Sequence, residues 1–383
     1  MLLYVWLVPV LLWLFLVGAA VGSFLNVCIY RIPLGKSLIW PGSHCGHCRH
    51  EVRLKDNIPL ISYWVLRGRC RDCGAAFSMR YFWVELLTAL LFVGLFFLEV
   101  ALNVQHLPVW PNGGFAFLEW GRSPPLWGAL FVPHTVFVCF LIVAAGCLLD
   151  HGRVPVSVAV TGTLAGLLAA VLLPWPFPLE PTAVFAPPAE STALQVYFPV
   201  DDGPPGHTLR GAMPAHDSWS IWPVSPRPGF YPWPVWGPLP AWLPPGSWQL
   251  GLLTGLAGAL VGGWALRLSG SVVRTALGRE VMPGGAAGLA MMAGAFLGWQ
   301  PVLVALVLAL VFAGLLHRWR RRFSAFGPGL LLGIVAAWLG WAWLGPAVRP
   351  ILFSPLLPAT ALATALILAG VLTVREQLTR EKR

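Results

Sequence analysis

The chain has 383 residues, 57% of them hydrophobic and 10% charged, with 25 Lys/Arg against 15 Asp/Glu for a formal charge of +10. Soluble domains carry about a quarter of their residues as charges, so this composition excludes a soluble fold and predicts an all-α polytopic membrane protein. The positive balance does not imply a nucleic-acid partner, because that reading needs a basic patch on a soluble domain, and here the basic residues cap hydrophobic stretches.

The run from Leu2 to Ala20 is long enough to cross ~30 Å of hydrocarbon as a helix. It lacks the basic leading segment and short apolar core of a cleaved signal peptide, so residues 1–30 are read as a retained first transmembrane helix. Residues 31–83 form a polar island. It holds two CxxC pairs, Cys45/Cys48 and Cys70/Cys73, with 21 residues between them. Four thiolates so spaced can surround Zn²⁺ tetrahedrally, and a closed sphere of four cysteines leaves no site for water, which makes the metal structural. Disulfides are the competing reading and require an oxidising compartment. The segment from Arg31 to Phe82 carries nine Lys/Arg, the largest basic cluster in the chain, which predicts a cytoplasmic, reducing location and favours zinc. His44, His47 and His50 beside the pairs read as solvated, although one can replace a thiolate. Cys28, Cys139 and Cys147 fall in apolar stretches and read as small core residues.

Further spans follow at Val84–Leu102, Leu126–Leu149 and Val156–Leu173 within residues 84–173, and at Leu250–Leu266, Ala286–Gly298, Val302–Leu316, Leu330–Leu344 and Ile351–Val374 within residues 248–374. That predicts about nine transmembrane helices with a cytoplasmic zinc-binding loop of four cysteines. Residues 174–247 contain 19 of the 36 prolines, a density that stops helix and sheet from propagating and predicts an irregular extracytoplasmic insert. Residues 375–383 are a basic cytoplasmic tail. With the N-terminus outside and the C-terminus cytoplasmic, 21 of the 25 basic residues lie on the cytoplasmic side, leaving Arg122, Arg210, Arg227 and Arg349 outside.

Gly22-Ser23-Phe24-Leu25-Asn26-Val27 followed by Arg31-Ile32-Pro33, then Asp56-Asn57-Ile58-Pro59, the CxxC pairs, and Ser78-Met79-Arg80-Tyr81 with Glu85 resemble the N-terminal region of the prepilin leader peptidases. Gly294-Ala295-Phe296-Leu297-Gly298-Trp299 and Phe326-Gly327-Pro328 resemble later segments of that family. The resemblance implies a membrane aspartic protease of the bacterial inner membrane that processes type IV prepilins or pseudopilins for a pilus or type II secretion apparatus. It also implies a cytoplasmic zinc loop and, for some members, N-methylation from S-adenosylmethionine. Two aspartates near the cytoplasmic face would carry the reaction, one activating water as general base and the other protonating the scissile amide.

The sequence departs from the family pattern at both aspartates. In the Gly-x-Gly-Asp motif, Gly284-Gly285 is followed by Ala286. At the first aspartate, anchoring on Pro155 places Leu148 at the catalytic position, whereas a two-residue deletion in the turn places Asp150 there. Asp150 is the candidate catalytic residue, with helix-end pairing to Arg153 as its ordinary alternative. Glu280 is the one candidate replacement for the missing partner. The reading that results is a peptidase-family protein with impaired or absent proteolysis, and the alternative is a non-catalytic zinc-loop scaffold.

Overall fold

The structure is a computed structural model that describes residues 2–101, 127–172, 242, 247–277, 282–319 and 326–352. Among these residues it is all-helical, with no strand beyond two isolated bridges in the polar loop.

Helix α1 (Leu2–Arg31) continues past the apolar run Leu2–Ala20 to within one residue of the expected end at residue 30, because Val21–Arg31 keeps an apolar character without a breaker. It ends where Pro33 enters a 3-10 turn and Gly35 takes a left-handed cap (φ 63°), donating its amide to Ile32 O. The polar loop contains a 3-10 turn at Leu54–Asp56 and one short α-helix, α2 (Ile61–Val65). Helix α3 (Arg80–Leu95) returns along α1 and widens into a π-helical turn over Phe96–Ala101. Then come α4 (Trp127–His151), α5 (Val156–Leu172), α6 (Trp248–Leu277), α7 (Ala286–Leu297), α8 (Trp299–Trp319), α9 (Phe326–Leu339) and α10 (Trp341–Leu352).

Five stretches are long and apolar enough to cross a bilayer: Leu7–Leu34, Arg80–Val100, Phe131–His151, Trp248–Val272 and Trp299–Leu316. Helices α5, α7 and α9, with 17, 12 and 14 residues, are apolar but shorter, at about 26, 18 and 21 Å. The expected span Leu330–Leu344 is interrupted at Gly340, where the chain turns between α9 and α10. The expected span Ile351–Val374 lies, beyond its first two residues, outside the described residues, as does most of the 174–247 insert. The described helices therefore give five clear crossings, and the expected count of nine is not reached among them.

The helices pack as α1 on α3, α6 on α7, and α8 on α9, with α5 against α6 and α7. An aromatic centre ties three of them together. Phe137 of α4 stacks on Phe296 of α7 at 4.8 Å and meets Trp338 of α9 edge-on at 5.4 Å. In the same layer His134 of α4 bonds Glu99 through Nδ1 to Oε1 at 2.6 Å, both side chains 1% exposed, and lies 5.0 Å from Trp338.

Candidate functional site

The polar loop is built from two matching knuckles. In the first, Cys45 N donates to His50 O (2.9 Å) and Arg49 N to Cys45 O (3.0 Å). In the second, Cys70 N donates to Ala75 O (2.8 Å) and Gly74 N to Cys70 O (2.9 Å). Each turn needs a left-handed residue after its second cysteine, Arg49 (φ 61°) in one and Gly74 (φ 71°) in the other. The result brings all four sulfurs within 4.8 Å of one another, with Cys45–Cys73 at 3.8 Å and Cys48–Cys70 at 4.0 Å. Zn–S bonds of about 2.3 Å in a tetrahedron require S–S edges of about 3.8 Å, so the spacing fits that ion.

The electrostatics fit as well. Backbone amides of Cys48 and His47 aimed at Cys45 lower its thiol to about 6. Cys48 is pushed up to about 12: the His50 amide favours its thiolate, but desolvation and the neighbouring sulfurs of Cys73, Cys45 and Cys70 prevail. Four thiols this close cannot all ionise unless a cation joins them. All four are free cysteines. His44 turns its Nδ1 to Gly42 O (2.9 Å), and the four-ligand cluster contains no histidine.

The loop is fastened to the bundle by the residues of the N-terminal signature. A Cβ on Gly22 would lie 2.7 Å from Glu85 Cα, so glycine lets α1 and α3 touch backbone to backbone. The Glu85 carboxylate accepts from Leu60 N through Oε2 at 2.7 Å. That bond holds Leu60 in a strained left-handed conformation (φ 66°, ψ −38°), where Ile61 N reaches Pro59 O. Asn26 Nδ2 donates to Tyr81 O at 3.0 Å. Asp56 takes a bidentate grip from Arg71, which holds its carboxyl below the usual aspartate range.

Asp150, at the last turn of α4, is gripped through both carboxylate oxygens by Arg80 at the start of α3, not by the expected Arg153. Beyond it, Val154 N donates to Gly284 O at 2.9 Å, joining the turn after α4 to the Gly284-Gly285 step before α7. Gly285 has φ 87°, and a Cβ there would fall 2.1 Å from Val154 O, so only glycine fits. Leu148 is 8% exposed and Ala286 4%. Leu148 and Pro283 both flank Gly327, at 3.0 and 3.1 Å from where its Cβ would stand. Residues 148–154, 283–286 and 326–327 thus meet at one end of the bundle, and the Arg80–Asp150 bond puts the end of the cysteine loop there too. Glu280 lies outside the described residues.

The sequence reading missed two features. Glu99 and His134 were each visible as a polar residue in an apolar run, the signal that would have found them. Arg80 was noted only as part of a motif, 70 residues from the carboxylate it holds.

Residues 16–98 match the Bacterial Peptidase A24 N-terminal domain family. The Prepilin leader peptidase/N-methyltransferase of Myxococcus xanthus (strain DK1622) is 41% identical over 158 residues, 41% of this chain and 39% of that protein. The Type 4 prepilin-like proteins leader peptide-processing enzyme of Escherichia coli O78:H11 (strain H10407 / ETEC) is 38% identical over 172 residues, 40% of this chain and 54% of that protein. The Prepilin leader peptidase/N-methyltransferase of Klebsiella pneumoniae is 36% identical over 182 residues, 43% of this chain and 74% of that protein. The chain thus spans less than two thirds of the first two relatives and about three quarters of the third. No solved structure matches.

Proposed function

The chain belongs to the prepilin leader peptidase family, and from that premise we propose that it binds type IV prepilin or pseudopilin leader segments at the cytoplasmic face of the bacterial inner membrane while cleaving them poorly or not at all. The observation that carries the second half is the lining of the place where the two acids belong. Leu148 and Ala286 are buried and apolar, and neither can activate water or carry a proton. Asp150 is the carboxylate nearest in sequence to either position, and Arg80 holds both of its oxygens. A lone carboxylate lacks half of the general acid/base pair, a deficit of roughly 10²–10⁴ in rate.

Cys45, Cys48, Cys70 and Cys73 hold Zn²⁺ in this reading. When bound, the ion supplies the fold of the loop and not chemistry, since four thiolates close its sphere. The basic loop faces the cytoplasm, the N-terminus lies outside and the C-terminus is cytoplasmic, in keeping with the distribution of Lys/Arg.

S-adenosylmethionine is the cofactor suggested by the N-methyltransferase names of relatives. The cavity of about 430 Å³ walled by Arg31, Ser23 and Asn57 has no Asp or Glu to receive ribose hydroxyls or a sulfonium, so its residues do not fit that group.

The same buried Leu148 and Ala286 favour a second reading, a zinc-loop membrane scaffold of a pilus or type II secretion apparatus. It predicts partner binding that survives D150N and is lost when Cys45 or Cys70 is replaced.

The test is co-expression with a type IV prepilin, scoring leader removal by wild type, D150N, A286D and the L148D/A286D double variant. Wild type is expected to leave the leader uncut. Cleavage gained by A286D and abolished by adding D150N identifies Asp150 as the mate of position 286, whereas a requirement for L148D makes Asp150 a bystander. Efficient cleavage by wild type overturns the reading.

A further inference from the structure

Arg31 closes α1 and is 6% exposed. Its guanidinium donates to the carbonyls of Ser37 (3.0 Å), Leu38 (3.5 Å) and Gly42 (3.0 Å), wrapping residues 37–42 around itself. All three acceptors are neutral. Among the described residues no carboxylate comes within ion-pair distance of it, whereas Arg53, Arg71 and Arg80 each have one. A buried cation without a counter-charge is costly, and an anion is the remedy when space for one is left beside it.

Such a space exists. Arg31 forms part of the wall of a cavity of about 430 Å³, within the range of small-ligand sites. Its other polar side chains are Ser23, Ser43 and Asn57, no Asp or Glu lines it, and Phe24, Val27 and Leu38 make an apolar side. One cation, two hydroxyls and an amide beside an apolar wall select an anionic head on an apolar body. The position selects the source. The cavity lies against the last turns of the Leu7–Leu34 span, at the edge of the hydrocarbon, and Ile39 on its rim and the adjoining Trp40 are 89% and 79% exposed. Tryptophan at the end of a membrane span sits at headgroup depth, and basic residues there attract acidic lipids.

We propose that this cavity binds the phosphodiester head of an acidic phospholipid, with Arg31 as its counter-cation, Ser23 and Asn57 as polar contacts, and Ile39 and Trp40 seated in the acyl boundary. The bound lipid fills the space between α1 and the cysteine loop, so it secures the loop's approach to the bundle. The proposal is independent of the peptidase reading, since lipid retention is scored without reference to cleavage.

The test uses the full chain, purified in mild detergent, exchanged into mixtures of phosphatidylglycerol and phosphatidylcholine, and weighed by native mass spectrometry with its metal attached. Wild type is expected to retain one phosphatidylglycerol in preference to phosphatidylcholine. R31Q removes the charge, and A20F places a ring at the cavity wall without touching the Arg31 hydrogen bonds. R31Q is expected to lower retention by at least about fivefold, the share one basic residue contributes at an anionic surface, and A20F to lower it by occupying the cavity. Retained metal reports an intact loop, and if R31Q loses it, A20F decides. Equal retention of the two lipids by wild type, or undiminished retention by A20F, overturns the proposal. Displacement by excess inorganic phosphate that itself binds in place of the lipid also overturns it, by making the site one for free phosphate.

Discussion

Stripping the metal, or replacing Cys45 and Cys70 by serine, is expected to unfold residues 36–79 while the helices stay formed. Between Ile29 and Ala89 no hydrophobic side chain is buried among the described residues, so the loop has no apolar core of its own. Besides the exposed Arg53–Asp72 pair and the Arg71–Asp56 pair, its side-chain contacts are mainly edge-on ring pairs such as Tyr63 with Phe77 at 5.5 Å, worth ~0.5–1.5 kcal/mol each. A structural zinc contributes about 10–16 kcal/mol in small metal-folded domains, several times what a few ring pairs offer. The assay is hydrogen exchange at the knuckle amides of Cys45, Arg49, Cys70 and Gly74, which close the two turns. Metal removal, verified by elemental analysis, should cut their protection by at least about 10³-fold, or ~4 kcal/mol. New trypsin cuts after the exposed Arg49, Arg53, Lys55 and Arg67 should accompany it. Knuckle amides that keep their protection in verified metal-free protein would refute the reasoning, because the loop would then owe its fold to something other than the four sulfurs.

A double-mutant cycle on R80Q and D150N is expected to give a coupling of about 1 kcal/mol or less in thermal stability, since side-chain exposures of 40% and 27% leave the pair well screened; a larger coupling contradicts the exposed geometry. G22L should destabilise the α1–α3 contact by ~1–3 kcal/mol, measured by detergent-induced unfolding, because its Cβ would stand 2.7 Å from Glu85 Cα with no flexible neighbour to yield. For Asp56 the sign follows from its lowered folded value: its contribution is complete above the ordinary 3.8 and disappears as pH falls through the folded value below that. The loop-protection gap between wild type and D56N, both at saturating metal, should therefore hold constant from pH 7 to about pH 5 and close only in stronger acid.

The parts of this protein that sequence reading reaches are the local ones. Two CxxC turns fix their own backbone, so the cysteine cluster is readable from spacing, and the all-helical bundle is readable from apolar runs. Partners distant in sequence are not readable. Asp150 has Arg153 three residues away, yet its partner is Arg80, because the α3 start and the α4 end are brought together by packing of whole spans. Helix length fails at one place for a similar reason: Gly340 barely alters the hydropathy of an apolar run but turns the chain, so the expected span Leu330–Leu344 divides into α9 and α10, whereas the break at Gly298 is legible in the sequence. Arg31 looks like one more basic residue at a membrane edge, and only its three carbonyl acceptors and the cavity beside it set it apart.

The meeting of residues 148–154 with 283–286 bears on the proposal that the centre is degenerate. Gly285 with its left-handed φ and the Val154–Gly284 hydrogen bond are demanding backbone features, yet they also form the contact between the turn after α4 and the start of α7. The bundle needs that contact whatever residue follows Gly285, so its presence does not argue for proteolysis. The side chains carry that question. Two carboxylates in so enclosed a place would be held there against desolvation, whereas a methyl at 286 and an isobutyl at 148 pack without that cost. In the proposed reading, loss of the acids is therefore the direction in which stability rises as activity falls. Restoring one acid by A286D runs the other way, so failure of that variant to cleave bears on the dyad only in protein that still holds its metal.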